Sequence, residues 1–260
     1  MVSGAEARIV DDLRWLGLDW DGDVVRQSER HARYDAALAA LDRAGKLYPC
    51  DCSRAEIARV ASAPHAGEDL RYPGTCREKP RERAFKKAPS WRFRVPDDLE
   101  IAFVDGFLGP QRERVGETVG DFALKRGDGV YAYQLAVVVD DLAMGVDHVV
   151  RGADLLGSTA RQIALARALE GRPPDYLHAP LVLGPDGARL AKRAQGIKIA
   201  GHRAAGVSPD ALVGALAGLI GLTDGAAASP RVLLASYDRG RVSRSAVRVP
   251  AAVEGFEWPA

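Results

Sequence analysis

The chain contains 260 residues, of which 47% are hydrophobic and 27% are charged, with a formal net charge of +1. These proportions are typical of a folded domain and exclude a disordered or collagen-like chain, while the charge near zero argues against indiscriminate coating of nucleic acid. Because no run of 18 apolar residues and no basic, apolar leader is found, we predict a cytoplasmic protein.

The first part of the chain carries helical signals. Ser3 and Glu6 form a capping box ahead of an apolar series at helical spacing, and Gly17 suits the end of that helix. Ser28 is predicted to cap a second helix, which ends before Gly45. Helices are therefore expected to dominate the first third of the chain.

The cysteines of the chain are clustered. All of them lie in the window 48–76, at Cys50, Cys52 and Cys76. In a reducing compartment such a cluster favours metal binding over a disulfide, and zinc takes about four ligands. The residues leave the fourth ligand open between His65, Tyr72 and water, and imidazole is a commoner ligand than phenolate. The alternative is that the thiols are small buried apolar groups.

A basic, proline-rich region follows the first two cysteines. Ser53 and Glu56 form a second capping box, after which residues 60–98 have weak periodicity and are predicted to lie outside the main sheet. Segment 77–94 holds eight Arg or Lys residues against two Glu. Contact with a polyanion is therefore predicted to be local.

Strand and helix patterns alternate beyond residue 99. Residues 100–109 (EIAFVDGFLG) predict a strand and turn, and 148–152 (HVVRG) a buried strand. A helix is expected at about 159–170, followed by a strand at 176–184 (YLHAPLVLG). Ser208 and Pro209 then open an apolar helix. This alternation predicts an α/β fold with a mostly parallel sheet.

Two side chains are candidates for ligand binding at the ends of strands, where ligands bind in open α/β sheets. Arg151 follows the HVV strand, and its guanidinium could hold a carboxylate in two parallel hydrogen bonds, with the Tyr133 hydroxyl as a further donor. The alternative is that Arg151 pairs with Asp147 or Asp154 and that Tyr133 only packs. The loop LGPDGARLAKRAQGIKI centres on Lys192 and offers glycines and basic side chains for phosphates, although such loops are often solvated turns.

Taken in order, four motifs are specific jointly, although each is weak alone. They are YPCDC…YPGTC, DGVYAYQLAVVVDD, VVRGADLL and LVLGPDGARLAKR. Together they resemble bacterial glutamyl-queuosine tRNA(Asp) synthetases, which are short relatives of class I glutamyl-tRNA synthetases. The resemblance runs from about residue 4 to at least residue 220, with no anticodon-binding region recognised after the lysine loop.

The resemblance implies the α/β fold of a class I aminoacyl-tRNA synthetase, with a Rossmann-type parallel sheet, a zinc-bearing insertion and a helical C-terminal portion. The expected domains are 1–47 (first part of the catalytic domain), 48–98 (zinc-binding insertion), 99–205 (second half with a KMSKS-like loop) and 206–260 (helical region).

The resemblance also implies site residues. It places zinc on Cys50, Cys52, Tyr72 and Cys76, so Tyr72 displaces His65. It places L-glutamate on Tyr133 and Arg151. Its KMSKS loop, which binds ATP, falls on Arg189, Leu190, Ala191, Lys192 and Arg193. Lys192 matches the catalytic second lysine, whereas Ala191 and Arg193 depart from the motif.

The implied reaction has two steps. Glutamate attacks the α-phosphate of ATP, supplied with Mg²⁺, to give glutamyl-adenylate and pyrophosphate, and the glutamyl group then passes to the queuosine base of tRNA(Asp). Stabilisation of charge, rather than covalent enzyme chemistry, carries the first step. The basic segment 77–94 is expected to contact phosphates of the anticodon stem-loop. A monomer is expected.

Members of this family have a first strand, a HIGH-like motif and a helix ahead of the region that resembles this chain. No such segment is recognised here, so we expect an N-terminally truncated chain. Either Met1 is an internal valine codon read as a start, with the segment encoded upstream, or the gene is shortened. A shortened gene is expected to give either a damaged enzyme or a non-catalytic zinc-containing tRNA-binding remnant. A fragment of an ordinary glutamyl-tRNA synthetase is a further alternative.

Overall fold

The computed structural model describes residues 4–60, 71–184, 187 and 199–249. The chain forms two compact units. The first unit comprises Met1–Val24, Arg151–Asp154 and His178–Ala260. The second unit comprises Val25–Val150 and Leu155–Leu177.

Helices and strands are numbered along the chain. The helices are α1 (Ala5–Trp15), α2 (His31–Arg43), α3 (Arg54–Val60), α4 (Val115–Thr118), α5 (Tyr133–Met144), α6 (Leu156–Ala168), α7 (Ile199–Ala204), α8 (Pro209–Leu219) and α9 (Pro230–Ala235). The strands are β1 (Leu47–Cys50), β2 (Ser90–Phe93), β3 (Glu100–Asp105), β4 (Gly109–Arg114), β5 (Phe122–Lys125), β6 (His148–Gly152), β7 (Asp175–Ala179), β8 (Val182–Leu183) and β9 (Val247–Arg248).

The strands that carry the first cysteine form an antiparallel sheet of order β1-β2-β5. In this sheet Leu47 lies opposite Phe93, and Phe93 lies opposite Phe122. Strand β2 therefore lies within the three-stranded sheet. The prediction that residues 60–98 lie outside the main sheet is wrong for Ser90–Phe93. The sequence hides this strand because its four residues alternate only briefly between apolar and polar and follow a long basic stretch.

The other strands pair in twos. Strands β3 and β4 form an antiparallel hairpin, β6 pairs with β7, and β8 pairs with β9 in parallel. The predicted strands at 100–109 and 148–152 correspond to β3 and β6. The prediction that 148–152 is buried is wrong, because no residue of β6 is buried and Val150 is 66% exposed. The predicted strand at 176–184 is divided into β7 and β8, with Pro180 between them. A proline cannot donate to a ladder, which accounts for the break.

The helix signals are confirmed in part. Ser53 and Glu56 exchange hydrogen bonds of 2.6 and 3.1 Å with each other's backbone N–H groups, and Ser208 accepts from the backbone at the start of α8. Ser28 does not cap α2, because it lies in a 3-10 turn and the helix begins at His31. Gly45 follows α2 with a φ of 67°, a conformation that favours glycine.

The core of the second unit lies where α2, α5 and α6 pack with the strands. Leu41, Leu124, Leu135 and Leu165 are each fully buried there. Burial of each such side chain contributes about 1.5–3 kcal/mol. These apolar contacts fix the start of α5, where Tyr133 lies.

A buried carboxylate joins α5 to the start of α2. Asp140 lies 2.8 Å from the Arg30 guanidinium and accepts hydrogen bonds from Tyr34 (2.8 Å) and Gln27 (3.0 Å). Burial, and then the hydrogen bond to Asp140, raise the pKa of Tyr34 to about 12, so Tyr34 remains a donor at neutral pH. Arg30, at the position that precedes α2, is thus drawn into an ion pair.

We predict that Asp140→Ala lowers the free energy of unfolding by about 3–5 kcal/mol, because Arg30 is left buried without its counter-charge. The matched control is Asp128→Ala, which removes an exposed partner of Arg126 and costs less than about 1 kcal/mol. Urea unfolding of both variants measures the difference, and an equal loss of stability would contradict the account.

Candidate metal centre and amino-acid site

Three thiols meet in the second unit. Cys50 ends β1, Cys52 lies two residues later, and Cys76 lies in the turn that precedes the basic segment. Their sulfur atoms all lie within 4.8 Å of one another, and those of Cys52 and Cys76 are 3.5 Å apart. Sulfurs held about 2.3 Å from a tetrahedral zinc ion lie roughly 3.8 Å apart, so the cluster fits such an ion.

The hydroxyl of Tyr72 lies beside these thiols. It is 3.3 Å from the Cys50 sulfur and 3.8 Å from the Cys52 sulfur, and it accepts a hydrogen bond of 2.8 Å from the backbone N–H of Cys76. An oxygen ligand and a thiolate on one tetrahedral zinc ion are roughly 3.5 Å apart. Tyr72 therefore has the position of a fourth ligand, and His65 lies outside the described residues.

The groups around the cluster are polar and paired. Asp51 accepts from the Cys76 thiol (3.5 Å), from Arg83 (3.1 Å) and from the backbone N–H of Lys86 (3.1 Å). The Arg92 guanidinium lies 3.8 Å from the centre of the Tyr72 ring. Hydrogen bonds of this kind orient the ligands of a metal site.

The pKa values of the clustered groups shift in opposite directions, since that of Cys50 is lowered and those of Cys52 and Tyr72 are raised. Burial raises the pKa of Cys50. Three groups lower it, namely Tyr72, the backbone of Cys52 and the Arg92 guanidinium, and together they outweigh burial and leave the pKa below its ordinary value. Burial, and then the neighbouring thiols, raise the pKa of Cys52 to about 11, and burial also raises the pKa of Tyr72. A divalent cation would oppose these increases, because its charge favours thiolate and phenolate.

Tyr133 is the first residue of α5 in the second unit, and its side chain is 49% exposed. The next residue, Gln134, donates to Ser158 (3.0 Å) and accepts from Gln162 (2.9 Å), which tie the start of α5 to α6. Gln162 is buried. Sequence reasoning missed these glutamines, although Gln134 adjoins a predicted site residue.

Arg151 lies in β6 and belongs to the first unit. Its Nε donates a hydrogen bond of 3.1 Å to Nε2 of His178, a fully buried residue of β7 in the same unit. Sequence reasoning missed His178. The signal that could have found it is a histidine inside a largely apolar strand, at a position that alternates with less buried residues.

The nucleotide-binding prediction falls on residues that the structure does not describe. Arg189, Leu190, Ala191, Lys192 and Arg193 lie outside the described residues. Tyr133 and Arg151 belong to separate units. The binding of glutamate by Tyr133 and Arg151 and of ATP by the Lys192 loop therefore stays a prediction.

The basic segment 77–94 is largely engaged in internal contacts. Arg81 pairs with Asp42, Arg83 with Asp51, Lys86 with Glu56, and Arg94 with Glu78. Arg77 pairs with the buried Asp121 at 3.1 Å. Within the described part of the chain, Lys79, Lys87 and Arg92 are the basic residues of this segment for which no carboxylate partner is found, and Arg92 donates to the backbone carbonyl of Asp121. Most of the segment's positive charge is therefore paired with carboxylates.

The chain matches the profile of the family described as tRNA synthetases class I (E and Q), catalytic domain, over residues 1–229. The chain belongs to this family. The family resemblance read from the motifs is thereby confirmed, as is the assignment to a family of ligases.

Proteins named Glutamyl-Q tRNA(Asp) synthetase are similar to this chain. That of Symbiobacterium thermophilum is 54% identical over 259 residues, covering 93% of this chain and 79% of the relative. That of Nitratidesulfovibrio vulgaris is 49% identical over 229 residues, covering 82% and 70%. That of Nocardia farcinica is 47% identical over 247 residues, covering 93% and 76%.

Among solved structures, a glutamate-tRNA synthetase from Elizabethkingia anophelis matches with a TM-score of 0.75 at 24% identity, over 96% of this chain and 59% of that one. At this identity the match shows the fold, which is the predicted α/β fold of a class I synthetase. This chain thus spans less than two thirds of that protein.

Among the described residues, none of the helices has the length and apolarity needed to cross a membrane.

We predict that Arg83→Ala destabilises the protein, because Arg83 donates to Asp51 and to the carbonyl oxygens of Pro49 and Pro80. The loss is about 3–5 kcal/mol, since Asp51 is left buried without its partner. The exposed Lys87, changed to Ala, is the matched control and shifts stability by less than about 0.5 kcal/mol. Denaturant unfolding of both variants tests this, and a neutral Arg83→Ala would show that the ion pair has no structural role.

Proposed function

We propose that the protein activates L-glutamate with ATP and transfers it to the queuosine base of tRNA(Asp). The proposal rests on the membership of residues 1–229 in the class I (E and Q) family, together with relatives named Glutamyl-Q tRNA(Asp) synthetase at 47–54% identity. The substrates of the two steps follow from that name. Magnesium accompanies ATP as part of the substrate.

In the proposed activation step, a carboxylate oxygen of glutamate attacks the α-phosphorus of ATP, and pyrophosphate leaves with the electron pair of the broken P–O bond. Arg151 holds a carboxylate of the amino acid, because a guanidinium fork matches a carboxylate in two hydrogen bonds. Tyr133 adds a hydroxyl donor. Lys192 and its loop neutralise charge on the phosphates, which lowers the barrier without a covalent intermediate.

The proposed metal is zinc, held by Cys50, Cys52, Tyr72 and Cys76 in a structural role. The separations of the thiols and the Tyr72 hydroxyl support this, as does the polar shell around them. When bound, the ion ties β1 to the turn at Cys76 and contributes to folding. The proposed partner is the anticodon stem-loop of tRNA(Asp), and Lys79 and Lys87 are the candidates for phosphate contacts in the basic segment.

We predict glutamate-dependent exchange of pyrophosphate into ATP, and incorporation of labelled glutamate into tRNA(Asp) that carries queuosine. Arg151→Ala lowers the exchange kcat/KM for glutamate about 100-fold, since a charged, bidentate contact is lost. Arg172→Ala, an exposed arginine of the second unit, is the control and leaves it unchanged.

Each alternative has its own outcome in this assay. Glutamate transfer to tRNA(Glu) instead of tRNA(Asp) would favour an ordinary glutamyl-tRNA synthetase. Binding of tRNA without any exchange would favour a non-catalytic binding protein. Either result contradicts the proposed reaction.

We predict about one zinc ion per chain by elemental analysis of the purified protein. Cys76→Ser lowers the zinc content and the melting temperature, because a thiolate ligand is lost. Tyr72→Phe retains three thiolates but lowers zinc affinity about 10–100-fold, as measured by competition with a chromogenic chelator. Tyr237→Phe in the first unit is the control, and an unchanged affinity in Tyr72→Phe would show that the phenol is not a ligand.

A further inference from the structure

His178 is a buried polar side chain whose role the proposed reaction does not explain. It lies in β7, is fully buried, and accepts a hydrogen bond of 3.1 Å from Nε of Arg151 within the same unit. We propose that His178 is a positioning residue, which holds the Arg151 guanidinium in the orientation that binds the carboxylate of glutamate. This inference rests on the proposed function, in which Arg151 binds glutamate.

The chemistry of the pair defines the state of the imidazole. A guanidinium has five N–H donors and no acceptor, so the ring nitrogen that faces it must accept. Nε2 of His178 is therefore unprotonated, and the ring proton lies on Nδ1. A doubly protonated ring would place two donors and two positive charges against each other at 3.1 Å.

The direction of the contact matters for recognition. An arginine side chain has many rotamers, and fixing it costs conformational entropy on binding unless a neighbour has already fixed it. The hydrogen bond to His178 is donated by Nε, on one side of the guanidinium. Two parallel hydrogen bonds to a carboxylate, made end-on, use the two terminal amino groups, which are different atoms. His178 can thus orient Arg151 without taking up the pair of donors that forms the fork.

A histidine that only fills the core predicts a different result from one that orients Arg151. If packing is its role, any substitution of similar size is tolerated, and affinity for glutamate follows stability. If acceptance of the Nε–H is its role, affinity depends on an acceptor at this position. His178→Met keeps a similar volume but offers only a weak acceptor, whereas His178→Gln supplies an amide oxygen. The two variants separate the roles.

The experiment measures the dissociation constants of L-glutamate, of ATP and of a glutamyl-sulfamoyl adenosine by calorimetry. The full chain is compared with His178→Met, His178→Gln and Arg151→Ala, and each variant is also unfolded in urea. His202→Gln, at another buried histidine of the first unit, is the matched control. We expect His178→Met to weaken glutamate and the adenylate analogue about 10-fold. We expect His178→Gln to weaken them less than about 3-fold, with the affinity for ATP unchanged in both.

The outcomes distinguish the inference from the proposed function. If Arg151→Ala loses glutamate affinity while His178→Met keeps it, the inference is wrong and the role of Arg151 stands. Equal losses in the Met and Gln variants, or losses that follow stability, also overturn it. If the unaltered chain does not bind glutamate, or Arg151→Ala binds it normally, the proposed role of Arg151 fails and the inference fails with it.

Discussion

The second unit depends on the convergence of three thiols and a phenol at the end of β1. Cys50 and Cys76 are buried, and the Tyr72 hydroxyl contacts both of them, so the turn before the basic segment is held against the β1-β2-β5 sheet. Buried thiols and a phenol this close together are poorly solvated, and hydrogen bonds alone satisfy them weakly. A cation at their centre would join two segments that are distant in sequence by coordinate bonds.

Buried carboxylates form the second level of organisation. Asp121 accepts from Tyr48 at 2.5 Å, from Arg77 at 3.1 Å and from the backbone of Val95 at 2.8 Å. Asp51 and Asp140 have corresponding sets of donors. Each of these three carboxylates is paired with an arginine and accepts hydrogen bonds, as burial requires. Within the basic segment, Arg77 and Arg83 are the counter-charges of the buried Asp121 and Asp51. Arg81 and Arg94 pair instead with solvent-accessible carboxylates, those of Asp42 and Glu78.

Much of this arrangement could be predicted from local sequence. The capping box at Ser53 and Glu56 and the serine cap of α8 depend on neighbouring residues, and the structure confirms both. Strand β2 could not be recognised, because its pairing with β1 joins residues forty or more positions apart. The ion pairs of the basic segment were missed for the same reason, since partners such as Asp42 are remote in sequence.

The candidate site was predictable to different extents. The three cysteines indicated a metal site from spacing alone, but the chemistry of zinc ligands favoured His65 as the fourth ligand, and only the family resemblance pointed to Tyr72. The structure brings Tyr72 to the thiols. His178 could not be found from spacing, because its contact with Arg151 depends on the pairing of β6 with β7.

The zinc K-edge X-ray absorption spectrum of the purified protein tests the central claim most directly, because it reports the number and kind of ligand atoms. Our account predicts three sulfur ligands at about 2.3 Å and one oxygen at about 2.0 Å, with the oxygen contribution altered in Tyr72→Phe. A spectrum that requires a nitrogen ligand with the outer-shell scattering of imidazole would contradict it, as would a protein without bound zinc.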